Sequence, residues 1–171
     1  MRLQSILKWA AAGALTVAMM APAAMQAQSA GTVLKTAEIE KLLPPSVFYR
    51  AQSATTQLRN SGGVKFADGY YVLTTLVDTS GYSTDVASKY QAYFITEVPI
   101  TVGGKSLPAG VYGVGFVGGN FLVTDVGAHD VLSVPTTEDT ALARPRPLQL
   151  VADAAGGYRL YAQRRYVVIN R

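Results

Sequence analysis

VKFADGYYVLTTLV, Val64 to Val77, decides the class of fold. Two runs rich in Val, Tyr, Phe, Thr and Leu flank Asp68-Gly69, a pair suited to the positive φ angles of a tight two-residue loop. Such a stretch predicts an antiparallel hairpin, and its neighbours repeat it. VYGVGFV and FLVTDV are separated by Gly118-Gly119-Asn120. PLQLVAD and YRLYAQ are separated by Ala154-Ala155-Gly156-Gly157, and RYVVIN follows after a brief turn near Gln163-Arg164. With VFYRAQ, ATTQLRN, YQAYFITEV and HDVLSV, roughly nine to eleven strands are expected. An all-β antiparallel sandwich or a partly closed barrel accommodates that number, and the pattern does not separate the two.

Helix is sparse. TAEIEKLLPPS predicts a short helix with Thr36 as N-cap, Glu38 and Glu40 near its positive end, and Pro44-Pro45 as its stop. Ile39, Leu42 and Leu43 supply its apolar face. A second helical turn is expected through TDVASKY, Thr84 to Tyr90. The polar connection PTTEDTALARPRP, Pro135 to Pro147, is read as a surface loop or as a short helix through EDTALA.

The first thirty residues have another character. MRLQSILK carries Arg2 and Lys8, Trp9 to Ala21 is an apolar run of 13 residues, and small residues follow Pro22. These are the parts of a secretory signal peptide, whereas a spanning helix needs about 20 apolar residues. Residues 1–29 are therefore read as the signal, with cleavage after Ser29, or after Ala23 or Ala27, and residues 30–171 as a single β-rich domain. The expected location is periplasmic or secreted. The chain contains no Cys, so neither disulfides nor thiolate metal sites are available. Of 15 basic residues, Arg2 and Lys8 belong to the signal. The remaining 13 face 11 acidic ones, a net of +2 that gives no global steering toward nucleic acid. The late arginines Arg144, Arg146, Arg159, Arg164, Arg165 and Arg171 are the one asymmetry, read as guards of sheet edges or as a basic stripe.

VGGKSLPAG, Val102 to Gly110, contains the G-K-S ending of a nucleotide-binding loop. The full motif requires a glycine five residues before Gly104, where Pro99 stands, and a helix afterwards, which Pro108 forbids. The stretch is read instead as two turns: Val102-Gly103-Gly104-Lys105, then Leu107-Pro108-Ala109-Gly110 with positive φ at Gly110. No cofactor is expected.

His129 is the single histidine, with Asp125 four residues before it and Asp130 after it. Asp125, His129 and Asp130 are the candidate metal ligands, and a metal-assisted hydrolase would use them. On a strand, residues 129 and 130 face opposite sides, which favours a His satisfied locally at a turn. No G-x-S-x-G elbow is present, and no catalytic residue is assigned. Glu138-Asp139 is read as a solvated loop pair. Ten Tyr and five Phe offer strand packing or the lining of a pocket for a small apolar ligand.

Val102, Gly103, Gly104, Lys105, Leu107, Pro108, Ala109, Gly110 and Tyr112 form the pattern V-G-G-K-x-L-P-A-G-x-Y between two apolar strands. In this the chain resembles uncharacterised small secreted bacterial all-β proteins. NSGGVKFADGYYVL and RPLQLVADAAGGYRLYAQRRYVVI are similar to the same group. The resemblance implies an extracytoplasmic β-domain and carries no activity or catalytic residue with it. Three functions follow as expectations. The first is a non-enzymatic envelope binding or scaffolding domain, its partner an envelope protein met at a sheet edge, the N-terminal helix or the 135–147 connection. The others are a small-ligand carrier and the metal-assisted hydrolase. Self-association is left open.

Overall fold

The computed structural model describes residues 31–171, so the signal peptide expected over residues 1–29 lies outside the described residues. All pairings between strands are antiparallel. The hairpin expected at Val64 to Val77 forms as β3 (Gln52–Phe66) and β4 (Tyr71–Val77). Its turn spans three residues and not two: the Phe66 N–H donates to the Tyr70 carbonyl at 2.8 Å, and of the pair Asp68-Gly69 only Gly69 has positive φ, at 93°.

Around it lies a sheet in the order β1-β3-β4-β5-β8-β9-β10, with β2 alongside β3. Here β1 is Gly31–Val33, β2 Ser46–Tyr49, β5 Ala92–Thr96, β8 Gly110–Val117, β9 Asn120–Thr124 and β10 Asp130–Pro135. A second sheet runs β12-β13-β14-β6-β7, with β11 also pairing β14. Its members are β6 (Ile100–Val102), β7 (Lys105–Leu107), β11 (Thr137–Glu138), β12 (Arg146–Ala152), β13 (Tyr158–Gln163) and β14 (Arg165–Asn170). The sheets form a sandwich and not a closed barrel. Between them sit Val64, Phe66, Phe94, Val114 and Phe121 from the first sheet and Val102, Leu107, Leu160, Val167 and Ile169 from the second, all at most 2% exposed. Removing such side chains from water is the main stabilising term of a chain without disulfides.

The strands outnumber the expected nine to eleven for identifiable reasons. VFYRAQ is not one strand: Arg50 and Ala51 take φ of 45° and 60° and fold it into the β2–β3 hairpin. Neither residue is Gly or Asn, so the sequence carries no signal for this turn. The Tyr82 hydroxyl holds it from outside, donating to the Tyr49 carbonyl at 3.0 Å and the Gln52 carbonyl at 3.3 Å. ATTQLRN and VKFA, conversely, are one long strand, bulged between Gln57 and Ser61. The 135–147 connection contributes β11 and no helix.

VGGKSLPAG behaves half as expected. Gly103 and Gly104 take φ of 54° and 81° and join β6 to β7 with Val102 opposite Lys105. The second expected turn is absent: Gly110 has no positive φ, and Pro108-Ala109 instead carries the chain from the second sheet back into the first. The sheets meet at the other margin through Gly62, where an added Cβ would lie 2.7 Å from the Leu150 nitrogen.

Two helices cover the outer face of the first sheet. In α1 (Thr36–Ile39) the N-cap is Lys35, not Thr36, and its N–H donates to the Glu38 carboxylate at 2.8 Å. Ile39 and Leu43 pack on Leu73, while Leu42 stays 45% exposed. α2 (Thr84–Lys89) lies beside a cluster of Val47, Tyr49, Ala54, Val77 and Tyr90. No helix of the described residues is long and apolar enough to cross a membrane.

Sheet edges are guarded. Pro135 sits on edge strand β10, and the next N–H, that of Thr136, donates to Gly119 on the β9 side. By alternation the nitrogen that proline leaves without hydrogen faces away from the sheet. Lys105 Nζ donates to the Ser133 carbonyl at 3.0 Å on the same edge.

Candidate functional site

Asp125 organises the β9–β10 turn: its Oδ1 accepts from the N–H groups of Gly127 at 2.8 Å and His129 at 2.9 Å. Ala128 completes the turn at φ 69°. His129 Nδ1 lies 2.9 Å from Asp125 Oδ2, and the His129 side chain is 82% exposed. The His129 N–H, then its ring, hold the Asp125 carboxyl below its ordinary range. Asp130 turns to Lys89, 3.3 Å away. Thus Asp125 and His129 are brought together, and Asp130 is paired with a cation elsewhere. Among the described residues no three His, Asp or Glu side chains gather closely enough to hold a metal ion.

Beside this turn is a small hollow of about 100 Å³ between Tyr49, Arg50, Asp85, Val86, Lys89 and Ala128. Of its lining, Tyr49 belongs to a tyrosine stack. Tyr49 and Tyr90 lie with ring centroids 3.7 Å apart, and Tyr82 meets both edge-on. The Tyr49 hydroxyl donates to Thr124 Oγ1 at 2.7 Å, and Thr124 donates onward to the Gly113 carbonyl at 3.1 Å. Burial raises the pKa of Tyr49 and, more strongly, of Tyr90, so both are neutral hydroxyls at physiological pH. Tyr90 is fully buried and its hydroxyl has no hydrogen-bond partner among the described residues.

A larger cleft, of about 390 Å³, opens at the end of the sandwich where the 135–147 connection meets the β13–β14 turn. Gln91, Phe116, Glu138, Pro145, Gln163, Arg164 and Arg165 line it. A neighbouring hollow of about 270 Å³ is lined by Gly119, Thr136 and the same Glu138 and Arg165. Each wall has a local cause. Gln91 precedes β5 and is fixed by its amide, whose Oε1 accepts from the Phe116 N–H at 3.0 Å. Arg164 Nη1 donates to the carbonyls of Thr140 at 3.0 Å and Leu142 at 2.6 Å, which ties the connection to the turn. Gln163, first of the two turn residues between Ala162 and Arg165, has φ 58°. A side chain at a position favouring glycine marks a place where the structure around it holds strain.

Glu138 and Arg165 stand directly opposite in the β11–β14 ladder. Both are exposed, and neither side chain makes a hydrogen bond or ion pair with any described residue. Their neighbours are otherwise engaged. Asp139, read from the sequence as half of a solvated pair, accepts from the Tyr161 hydroxyl at 2.9 Å. The late arginines form no continuous stripe, because Arg159 pairs with Asp153 at 2.9 Å and Arg171 makes a two-pronged bond to Asp68. That leaves Arg165 as the late arginine presented freely to the cleft.

Half of the ten tyrosines that suggested a pocket lining are core: Tyr49, Tyr90, Tyr112, Tyr158 and Tyr161 are buried. Phe116 is the aromatic side chain in the cleft. The chain matches no family model, no curated protein and no solved structure. What the cleft does therefore has to be argued from its own residues. Sequence reasoning singled out the connection and the late arginines but missed Gln91, Phe116 and Gln163. Only the last left a trace, a two-residue turn without glycine.

Proposed function

We propose that this chain is an exported, non-enzymatic binding domain of the cell envelope that engages its partner through the Glu138–Arg165 cleft. Kinship with the small secreted β-proteins that share its V-G-G-K-x-L-P-A-G-x-Y pattern is part of the proposal. One observation carries the reading: two unlike charges, opposite each other across a strand pair, are left unpaired on the wall of an open cleft.

Free charges on rigid strands suit recognition, because their backbone positions are fixed before a partner arrives and little ordering remains to oppose association. The guarded β10 edge, with Pro135 and Lys105, turns attention from strand addition to the cleft. The amphiphilic N-terminal segment supports export, to the periplasm or beyond it. The filled space between the sheets speaks for a surface site over an internal apolar one.

The test is retention of envelope components by the tagged chain, recovered from the compartment to which it is exported, alongside Arg165→Glu. A component held by the wild type and released by the charge reversal is the expected result. Equal retention by both chains, or none by either, would sink the proposal.

A further inference from the structure

We infer that the feature recognised by the cleft is a zwitterion: a ligand with one carboxylate, one ammonium group and a short apolar body, as in a free dipeptide. The inference rests on the proposed binding role of the cleft and names the chemistry that it selects.

Arg165 offers a planar fork of N–H donors that matches a carboxylate in two-pronged fashion, and no acceptor among the described residues occupies it. Glu138 offers two acceptor oxygens that no donor among the described residues meets, and an ammonium with three N–H groups satisfies them. Residues directly opposite in an antiparallel pair have Cβ atoms about 5 Å apart, so both charges address one small ligand. The two do not neutralise each other, since no ion pair joins them. A purely anionic ligand would meet Glu138 as a repulsive neighbour, and a purely cationic one would meet Arg165. A ligand with both charges meets neither penalty, which is selection against the wrong partner as much as attraction of the right one.

Phe116 and Pro145 give the same cleft an apolar floor, and about 390 Å³ is room for a molecule of dipeptide size. Gln163, held at φ 58° where glycine would relieve the backbone, also lines the cleft and carries an amide. Both charges are exposed and screened, so the expected dissociation constant is on the order of 0.1–1 mM.

The experiment is an NMR titration of the exported chain with leucyl-leucine, its N-acetyl form and its C-terminal amide. The free dipeptide is expected to shift the amide signals around residues 138 and 165 saturably. Each blocked form is expected to bind at least fivefold more weakly. Glu138→Gln, with a melting curve to establish that it folds, should lose the preference for the free amine, and Arg165→Gln the preference for the free carboxylate. No saturable shift at the cleft, or equal affinity for free and blocked forms, would overturn the inference. If the dipeptide fails while Arg165→Glu still releases an envelope component, the ligand class falls and the binding role stands. If both fail, both fall.

Discussion

The side chain of Gln91 takes the place of a strand beside Phe116. Its Oε1 accepts from the Phe116 N–H at 3.0 Å and its Nε2 donates to the Phe116 carbonyl at 3.3 Å. β8 outruns its neighbour β5 here, since their ladder ends at the pair Ala92 and Val114. Two main-chain groups would otherwise lie open beside the cleft, and one amide satisfies both.

Replacing Gln91 by Ala removes both bonds. Loss of about 1–3 kcal/mol is expected in chemical denaturation, since each unmet backbone group in a partly buried place is costly. A Gln91→Glu chain, which keeps the acceptor and loses the donor, should fall between the two. Equal stability of all three would mean that water serves Phe116 as well.

Tyr90 poses the opposite case, a buried hydroxyl with no partner among the described residues. Tyr90→Phe keeps the 3.7 Å stack on Tyr49 and removes the unsatisfied group. Stabilisation of about 1 kcal/mol, or roughly 3 °C in Tm, is expected by calorimetry. A lower Tm would show that the hydroxyl is bonded after all.

Gln163→Gly should separate stability from binding. Glycine relieves the positive φ at that turn position, for a gain of about 0.5–1 kcal/mol after its own chain entropy is subtracted. The same change strips an amide from the cleft rim. A raised Tm with weakened ligand affinity is the expected pair of results. Unchanged affinity would take Gln163 out of the site.

Acid should loosen the fold at a defined point. The Arg171 guanidinium holds the Asp68 carboxyl below its ordinary value of 3.8, and the N–H and ring of His129 do the same for Asp125. A folded-state pKa below the unfolded one gives stability that is complete above about pH 4 and is lost as pH falls through the lowered values. Tm measured from pH 6 to pH 2 should stay level and then drop below about pH 4, and Asp68→Asn should shallow the drop. An unchanged slope in that chain would remove Asp68 from the effect.

At Gly62 an added methyl would lie 2.7 Å from the Leu150 nitrogen and 2.8 Å from its Cβ. The neighbour includes main chain, which gives way poorly, so Gly62→Ala should cost about 1–3 kcal/mol by denaturant titration. A neutral result would mean that the margin between the sheets is looser than this close approach.

Much of the fold was legible because its signals are local. Alternating β-branched and aromatic residues made VKFADGYYVLTTLV a hairpin, and Gly103-Gly104 or Gly118-Gly119 could turn where they do whatever the rest of the chain did. Local readings missed only in detail, at the Lys35 N-cap and the three-residue turn after Phe66; the larger failures needed a partner remote in sequence. Arg50-Ala51 bends because Tyr82, some thirty residues on, bonds both sides of the turn. Leu107 to Gly110 looked like a hairpin turn and is a passage between sheets, a distinction that exists only once two sheets do.

The same division holds for the candidate site. From the sequence came strands, turns, the absence of Cys and a short apolar run near the first residues, each a property of neighbouring residues. The tertiary structure alone decided which charges would be spent inside the molecule. Asp125 went to His129, Asp130 to Lys89, Arg159 to Asp153 and Arg171 to Asp68, and Glu138 and Arg165 were left facing each other unpaired. Whether an ionic side chain is satisfied or free depends on what folding brings within a few ångströms of it, and that distance is not written in the spacing of residues along a chain.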